Sequence, residues 1–195
     1  MFFLLFLCAN SSREMENKIK LHDKVFKPFI SNERIEQAID GVAARINADY
    51  AGTGKVPVLL CVLNGSILFT AELMKRLHFD VDLMSIKVSS YQGTASTGEI
   101  RTDMNLTGDI TGKEVIIVED IVDTGNTIET LVGMLYARRA SGVKVCTMLL
   151  KPEMYKRDIV LDYVAMEIPN DFIVGFGLDY DGLGRNYQDI YILDR

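Results

Sequence analysis

Glu114–Thr130 reads E-V-I-I-V-E-D-I-V-D-T-G-N-T-I-E-T, and this stretch decides the fold. Val115–Val118 is a short, apolar, largely β-branched run of the kind that forms a strand buried on both faces. It runs into Glu119 and Asp120, with Asp123 three residues further on. Thr124, Gly125, Asn126 and Thr127 are small, turn-forming residues. Behind them Ile128, Leu131, Val132, Leu135 and Tyr136 recur at helical spacing. Strand, acidic rim, small-residue loop and helix are the layout of an anion site at the carboxyl end of a parallel sheet, where free backbone N–H groups and the helix dipole hold a phosphate. Three carboxylates beside a phosphate repel it unless they bind sugar hydroxyls, chelate a metal or move a proton. The plainer reading makes Thr127 an N-cap and leaves the acids solvated; it accounts for Thr127 alone better than for the assembled pattern.

Composition narrows the choice. The chain has 195 residues and 48% apolar content, consistent with one α/β domain and an ample core. A net charge of −6 argues against a nucleic-acid surface built on bulk electrostatics. Cys8, Cys61 and Cys146 show no paired spacing, and the latter two lie in apolar runs, so reduced core thiols are expected. His22 and His78 lack metal-ligand spacing, which disfavours a zinc site or a histidine triad. Met1–Ala9 is apolar but too short to span a bilayer, and no Lys or Arg precedes it as in a signal peptide. Residues 1–14 are read as an extension from a start assigned upstream, and 15–195 as a single domain. No nucleic-acid or membrane partner and a cytoplasmic location are expected.

Outward from the central stretch, Lys24–Ile30 reads as a strand or extended arm interrupted by Pro28. Ser31 should cap a helix whose stripe is Ile35, Ala38, Ile39, Val42, Ala43 and Ile46. Val58–Leu63 is a central strand, Asn64-Gly65-Ser66 a turn, and Ile67, Thr70, Ala71, Met74 and Leu77 the face of a second helix. Val81–Ser90 and Val143–Leu150 are further strands, and Tyr163–Ile168, Phe172–Gly175 and Asp189–Leu193 shorter ones. Arg138, Arg139 and Gly142 should close the helix after the central strand. Tyr91–Asn105 is rich in Gly, Ser and Thr and has no period, which marks a functional or disordered loop. Alternation through residue 150 implies a mostly parallel sheet flanked by helices on both faces, with a core of about 32–150. Residues 20–30 and 151–195 supply a small hood. No G-x-G-x-x-G follows any strand, which removes a dinucleotide site.

V-I-I-V-E-D-I-V-D-T-G-N-T resembles, without a gap, the ribose-phosphate loop of type I phosphoribosyltransferases, and its E-D-I-V-D form resembles the 6-oxopurine branch, the hypoxanthine-guanine phosphoribosyltransferases. The resemblance covers about residues 20–195. It implies that substrates are phosphoribosyl diphosphate and hypoxanthine or guanine, that products are IMP or GMP with diphosphate, and that Mg²⁺ is required. Glu119 and Asp120 would serve ribose hydroxyls and the metal, with Asp179 as a further metal-associated and purine-side acid. Asp123 would be the general base, and Asp123, Thr124, Gly125, Asn126 and Thr127 the 5′-phosphate cradle. Asn64, Gly65 and Arg185 would bind diphosphate, although many relatives carry Lys at the position of Asn64. Ser90 and Tyr91 would belong to a lid. Lys151 would donate to the purine O6, Phe172 would stack on the base, and the Ile173 backbone would read the ring edge. Lys has only donors and so favours an oxo over an amino group. Taken singly, Lys151 reads as a surface charge, Phe172 as a core aromatic and Asn64-Gly65 as a plain turn. A homodimer or homotetramer is implied. A xanthine- or guanine-preferring relative and an RNA-binding regulator of the same fold are the alternatives.

Overall fold

The computed structural model describes residues 18–88, 106 and 108–195, with residues 102–103 as backbone. In chain order the elements are β1 (Ile19–Leu21), β2 (Lys24–Ile30), α1 (Asn32–Tyr50), β3 (Val58–Leu63), α2 (Ile67–Met74), β4 (Asp82–Val88), β5 (Thr102–Asp103), β6 (Glu114–Val122), α3 (Asn126–Ala137), β7 (Gly142–Leu150), β8 (Tyr163–Glu167), β9 (Ile173–Val174) and β10 (Ile190–Leu193). The main sheet has the order β5-β4-β3-β6-β7-β8. Its pairs are parallel except that β5 adds antiparallel to β4.

Side-chain alternation along the central strands explains the layers. Leu59, Ile116, Val118, Cys146 and Met148 pack with Ile35, Ile39, Val42 and Ile46 of α1 and Phe69 and Leu73 of α2. Their neighbours Val58, Leu60, Val115, Ile117 and Val145 face Ile128, Leu131 and Leu135 of α3. With apolar side chains needed on both faces, the strands read as unbroken hydrophobic runs. Cys61 and Cys146 are free, buried thiols. No helix among the described residues is long and apolar enough to cross a membrane.

A second sheet, ordered β1-β2-β10-β9 and antiparallel, forms the expected hood from both ends of the chain. Its core is Ile19, Leu21, Phe26, Val174 and Tyr191. Pro28 is tolerated because the register with β10 shifts between Ile190 and Tyr191.

Several expected boundaries move. β6 continues through the acids to Val122, because pairing with β7 persists from Glu119↔Thr147 to Val122↔Leu150. The N-cap of α3 is Gly125 at φ 86°, so Thr127 lies inside the helix. Ser31 occupies the N-cap position of α1 but makes no side-chain capping bond. Arg139, at φ 64°, takes the left-handed position after α3, and Gly142 already belongs to β7. Tyr136 is exposed and Met134 is buried in its place. Ile116 is wholly buried between β3 and β7 and beneath α1. Truncation there leaves a cavity, so Ile116→Ala should lower the unfolding free energy by about 2–5 kcal/mol, measured by urea denaturation.

Candidate active site

Parallel pairing of β3 with β6, Cys61 beside Val118, brings the Asn64-Gly65 turn to Asp120. The approach is so close that a Cβ on Gly65 would sit 1.5 Å from Asp120 Oδ2. Gly177, at φ 97°, stacks on the other side, where a Cβ would lie 1.9 Å from the Gly65 carbonyl oxygen. Only glycine fits this three-layer contact. It draws the loop carrying Asp179 and Arg185 over the ends of the parallel strands. Arg185 is fixed by a 2.6 Å ion pair to Asp179 and by donation to the Gly177 carbonyl at 2.6 Å. The Leu63–Asn64 peptide is cis.

The result is a polar cavity of about 330 Å³ lined by Asn64, Gly65, Glu119, Asp120, Thr127, Asp179 and Arg185, with Val62, Leu63 and Val88 completing the wall. Seven of the residues singled out in the sequence therefore meet in one place. Its floor carries adjacent carboxyl groups. Glu119 is buried and its Oε2 has no hydrogen-bond partner. Burial, then the neighbouring Asp120, holds its carboxyl well above the ordinary value. Asp120 is also raised by burial, an effect opposed by the Ile121 N–H at 2.8 Å and by the Arg185 charge.

Next to this cavity Ile121–Ile128 wraps a smaller one of about 90 Å³, at the start of α3. It takes in Asp123, Thr124, Gly125, Asn126 and Thr127, so the expected phosphate loop has the concave form that an anion needs. Tyr155 and Arg157 pack on Gly125, and Arg157 Nη2 donates to Asn126 Oδ1.

Lys151 and Asp123 also meet, Nζ to Oδ2 at 3.2 Å, and Lys151 reaches Asn170 Oδ1 at 3.3 Å. The other Asp123 oxygen, Oδ1, is buried without a partner. Phe172 presents a 39% exposed ring beside β9, where Ile173 is buried in the hood and pairs with Ile192. Ser90 and Tyr91 lie outside the described residues. Among the described residues no three His, Cys, Asp or Glu side chains cluster as a metal cage, so Asp179 shares the cavity with Glu119 and Asp120 without completing one.

Sequence reasoning missed Asn170 and Arg157. Asn170 sits in a Pro-Asn-Asp turn and Arg157 in a charged stretch, and neither carries a periodic signal. Only the fold takes them to Lys151 and to the phosphate loop.

A sheet of this order, with an acidic pair near the end of its central strand and a concave loop opening the next helix, has the arrangement of a ribose-phosphate transferase. A model of the phosphoribosyl transferase domain matches residues 29–181, and the chain belongs to the phosphoribosyltransferase family. A hypoxanthine-guanine phosphoribosyltransferase of Streptococcus agalactiae is 44% identical over 90% of this chain and 92% of its own length. That of Streptococcus pneumoniae is 42% identical, with 92% and 96% covered. Among solved structures, a hypoxanthine-guanine phosphoribosyltransferase from Bacillus anthracis superposes with a TM-score of 0.80 at 34% identity, covering 88% of this chain and 99% of that one. A hypoxanthine phosphoribosyl transferase from Trypanosoma cruzi gives 0.81 at 37% identity, with 90% and 95% covered.

The buried Glu119 has a consequence for stability. Its folded-state pKa lies above the ordinary 4.5, so between those values the native state binds more protons than the unfolded chain. Stability is then lost as pH rises through the folded pKa. With divalent cations chelated, Glu119→Gln should raise the urea midpoint at pH 7–8, and the gain should vanish below about pH 4.5.

Proposed function

We infer that this chain is a hypoxanthine-guanine phosphoribosyltransferase of purine salvage, moving the 5-phosphoribosyl group from phosphoribosyl diphosphate to N9 of the base. The observation that carries this reading is the convergence of the acidic pair, the Asn64-Gly65 turn, Asp179 and Arg185 on one cavity beside the phosphate loop. The relatives' common activity supports it.

In this reading the backbone N–H groups of Asp123–Thr127, with the Thr124 and Thr127 hydroxyls, hold the 5′-phosphate at the positive end of α3. Glu119 and Asp120 accept hydrogen bonds from the ribose 2′- and 3′-hydroxyls, which supplies the partner that Glu119 Oε2 lacks in the chain itself. Asn64 and Gly65 offer backbone contacts to the diphosphate, and Arg185 adds the charge. Phe172 stacks on the purine, the Ile173 backbone reads its edge, and Lys151 donates to O6. The half-exposed Asp123 carboxylate, held by Lys151 at Oδ2, takes the N7 proton as N9 attacks C1′. Ser90 and Tyr91 are assigned to a lid by resemblance alone; such a lid keeps water from the oxocarbenium-like centre.

The residues present fit Mg²⁺. Glu119 Oε2 is buried without a hydrogen-bond partner and shares one cavity with Asp120 and Asp179, and a hard ion that keeps its waters takes few protein carboxylates. When bound it would lie by Glu119, Asp120 and Asp179 and neutralise the departing diphosphate. We also propose that residues 15–195 fold as one unit, that residues 1–14 stand outside it, and that the protein is a cytoplasmic homodimer or homotetramer; intact mass of natively expressed protein and sedimentation velocity read these.

A spectrophotometric assay with phosphoribosyl diphosphate and Mg²⁺ should show turnover of hypoxanthine or guanine and silence with adenine. Turnover of adenine would remove Lys151 as the reader of O6, and no turnover of any base would sink the salvage reading. Asp123→Asn should cost roughly 10²–10⁴-fold in kcat, the usual share of general acid–base catalysis, with phosphoribosyl diphosphate binding kept.

A further inference from the structure

We propose that Tyr180, anchored by the turn between β1 and β2, is the positioning residue that holds the Phe172 ring in its stacking plane. This rests on the reading of Phe172 as the purine platform. An exposed aromatic ring recognises a base well only if its plane is set before the base arrives, since ordering it on binding subtracts from affinity. Phe172 has two aromatic walls. Phe26, fully buried in β2, lies 5.8 Å away and tilted by 48°. Tyr180 meets it edge-on at 5.6 Å and 87°, the arrangement that ring quadrupoles favour.

Tyr180 is itself tethered at its far end. Its hydroxyl accepts from Lys24 Nζ at 2.5 Å and donates to Asp23 Oδ1 at 2.7 Å. The His22 ring packs edge-on against it at 5.5 Å. Residues 22–24 thereby orient a ring in the proposed base site through Tyr180. Tyr180 also follows Asp179, so the same short segment serves the base side and the diphosphate side.

The chain contains no tryptophan, which makes a clean reporter available. With Phe172→Trp, quenching of the introduced indole by IMP would establish the stacking platform independently of kinetics. Lack of quenching would overturn that platform and this proposal with it. Given quenching, Tyr180→Phe, which keeps the ring and removes both hydrogen bonds of its hydroxyl, should raise the hypoxanthine KM roughly two- to tenfold, the span of a net hydrogen bond. The KM for phosphoribosyl diphosphate and kcat should hold. Lys24→Met should act in the same direction and Lys24→Arg should restore the wild-type value. An unchanged hypoxanthine KM, or equal rises for both substrates, would reduce Tyr180 to a packing residue and overturn the assignment.

Discussion

The structure depends on carrying two adjacent carboxylates to the end of a strand that is hydrogen-bonded on both sides and covered on both faces. β6 cannot release Glu119 and Asp120 to solvent, because its pairing with β7 continues past them to Val122. Burying the Glu119 carboxyl with one oxygen unpartnered is costly, and the apolar layers on either side of the sheet offset that cost. The neighbourhood is built around the pair. Asp120 occupies the space that any side chain on residue 65 would need, and the backbone of residue 65 in turn occupies the space that a side chain on residue 177 would need. One packing constraint therefore passes from the core strand to the Asn64-Gly65 turn and on to Gly177, whose carbonyl holds Arg185.

The ion pair between Asp123 and Lys151 follows from register. Val122 and Leu150 are partners in the parallel ladder, and the Lys151 N–H donates to the Val122 carbonyl at 2.9 Å. The residues that next leave the two strands emerge side by side. A slip of one residue would reverse the faces of β7 and bury its charge, so the hydrophobic pattern of the core also enforces the contact in the site.

How much of this was legible in the sequence depends on the range of the interactions. Val115–Thr127 could be read because strand, loop and helix are local and each leaves its own period. The parallel sheet followed from alternation, and the hood from short strand-like runs near both ends. What escaped was tertiary. Nothing near Gly65 shows that Asp120 will press on it, and nothing near Asn170 shows that a lysine nineteen residues earlier will reach it. Thr127 was a sound cap by composition, but the left-handed turn at Gly125 starts the helix earlier. β1, three residues long, is too short to show a period and exists because β2 offers it an edge.

The segment after β7 ties these parts into a single ruler. Lys151, at its start, sits on Asp123. Four to six residues later, Tyr155 and Arg157 lie against Gly125, and the Lys156 N–H reaches the Thr124 carbonyl at 3.4 Å. The chain is anchored at both ends to the loop that follows β6, once at the proposed proton acceptor and once at the proposed phosphate cradle. In a ribonucleotide those two chemistries are separated by the sugar, a fixed covalent distance. A site that must hold base and phosphate at once needs that spacing built into its backbone, and two segments stitched together at both ends provide it more rigidly than side chains could.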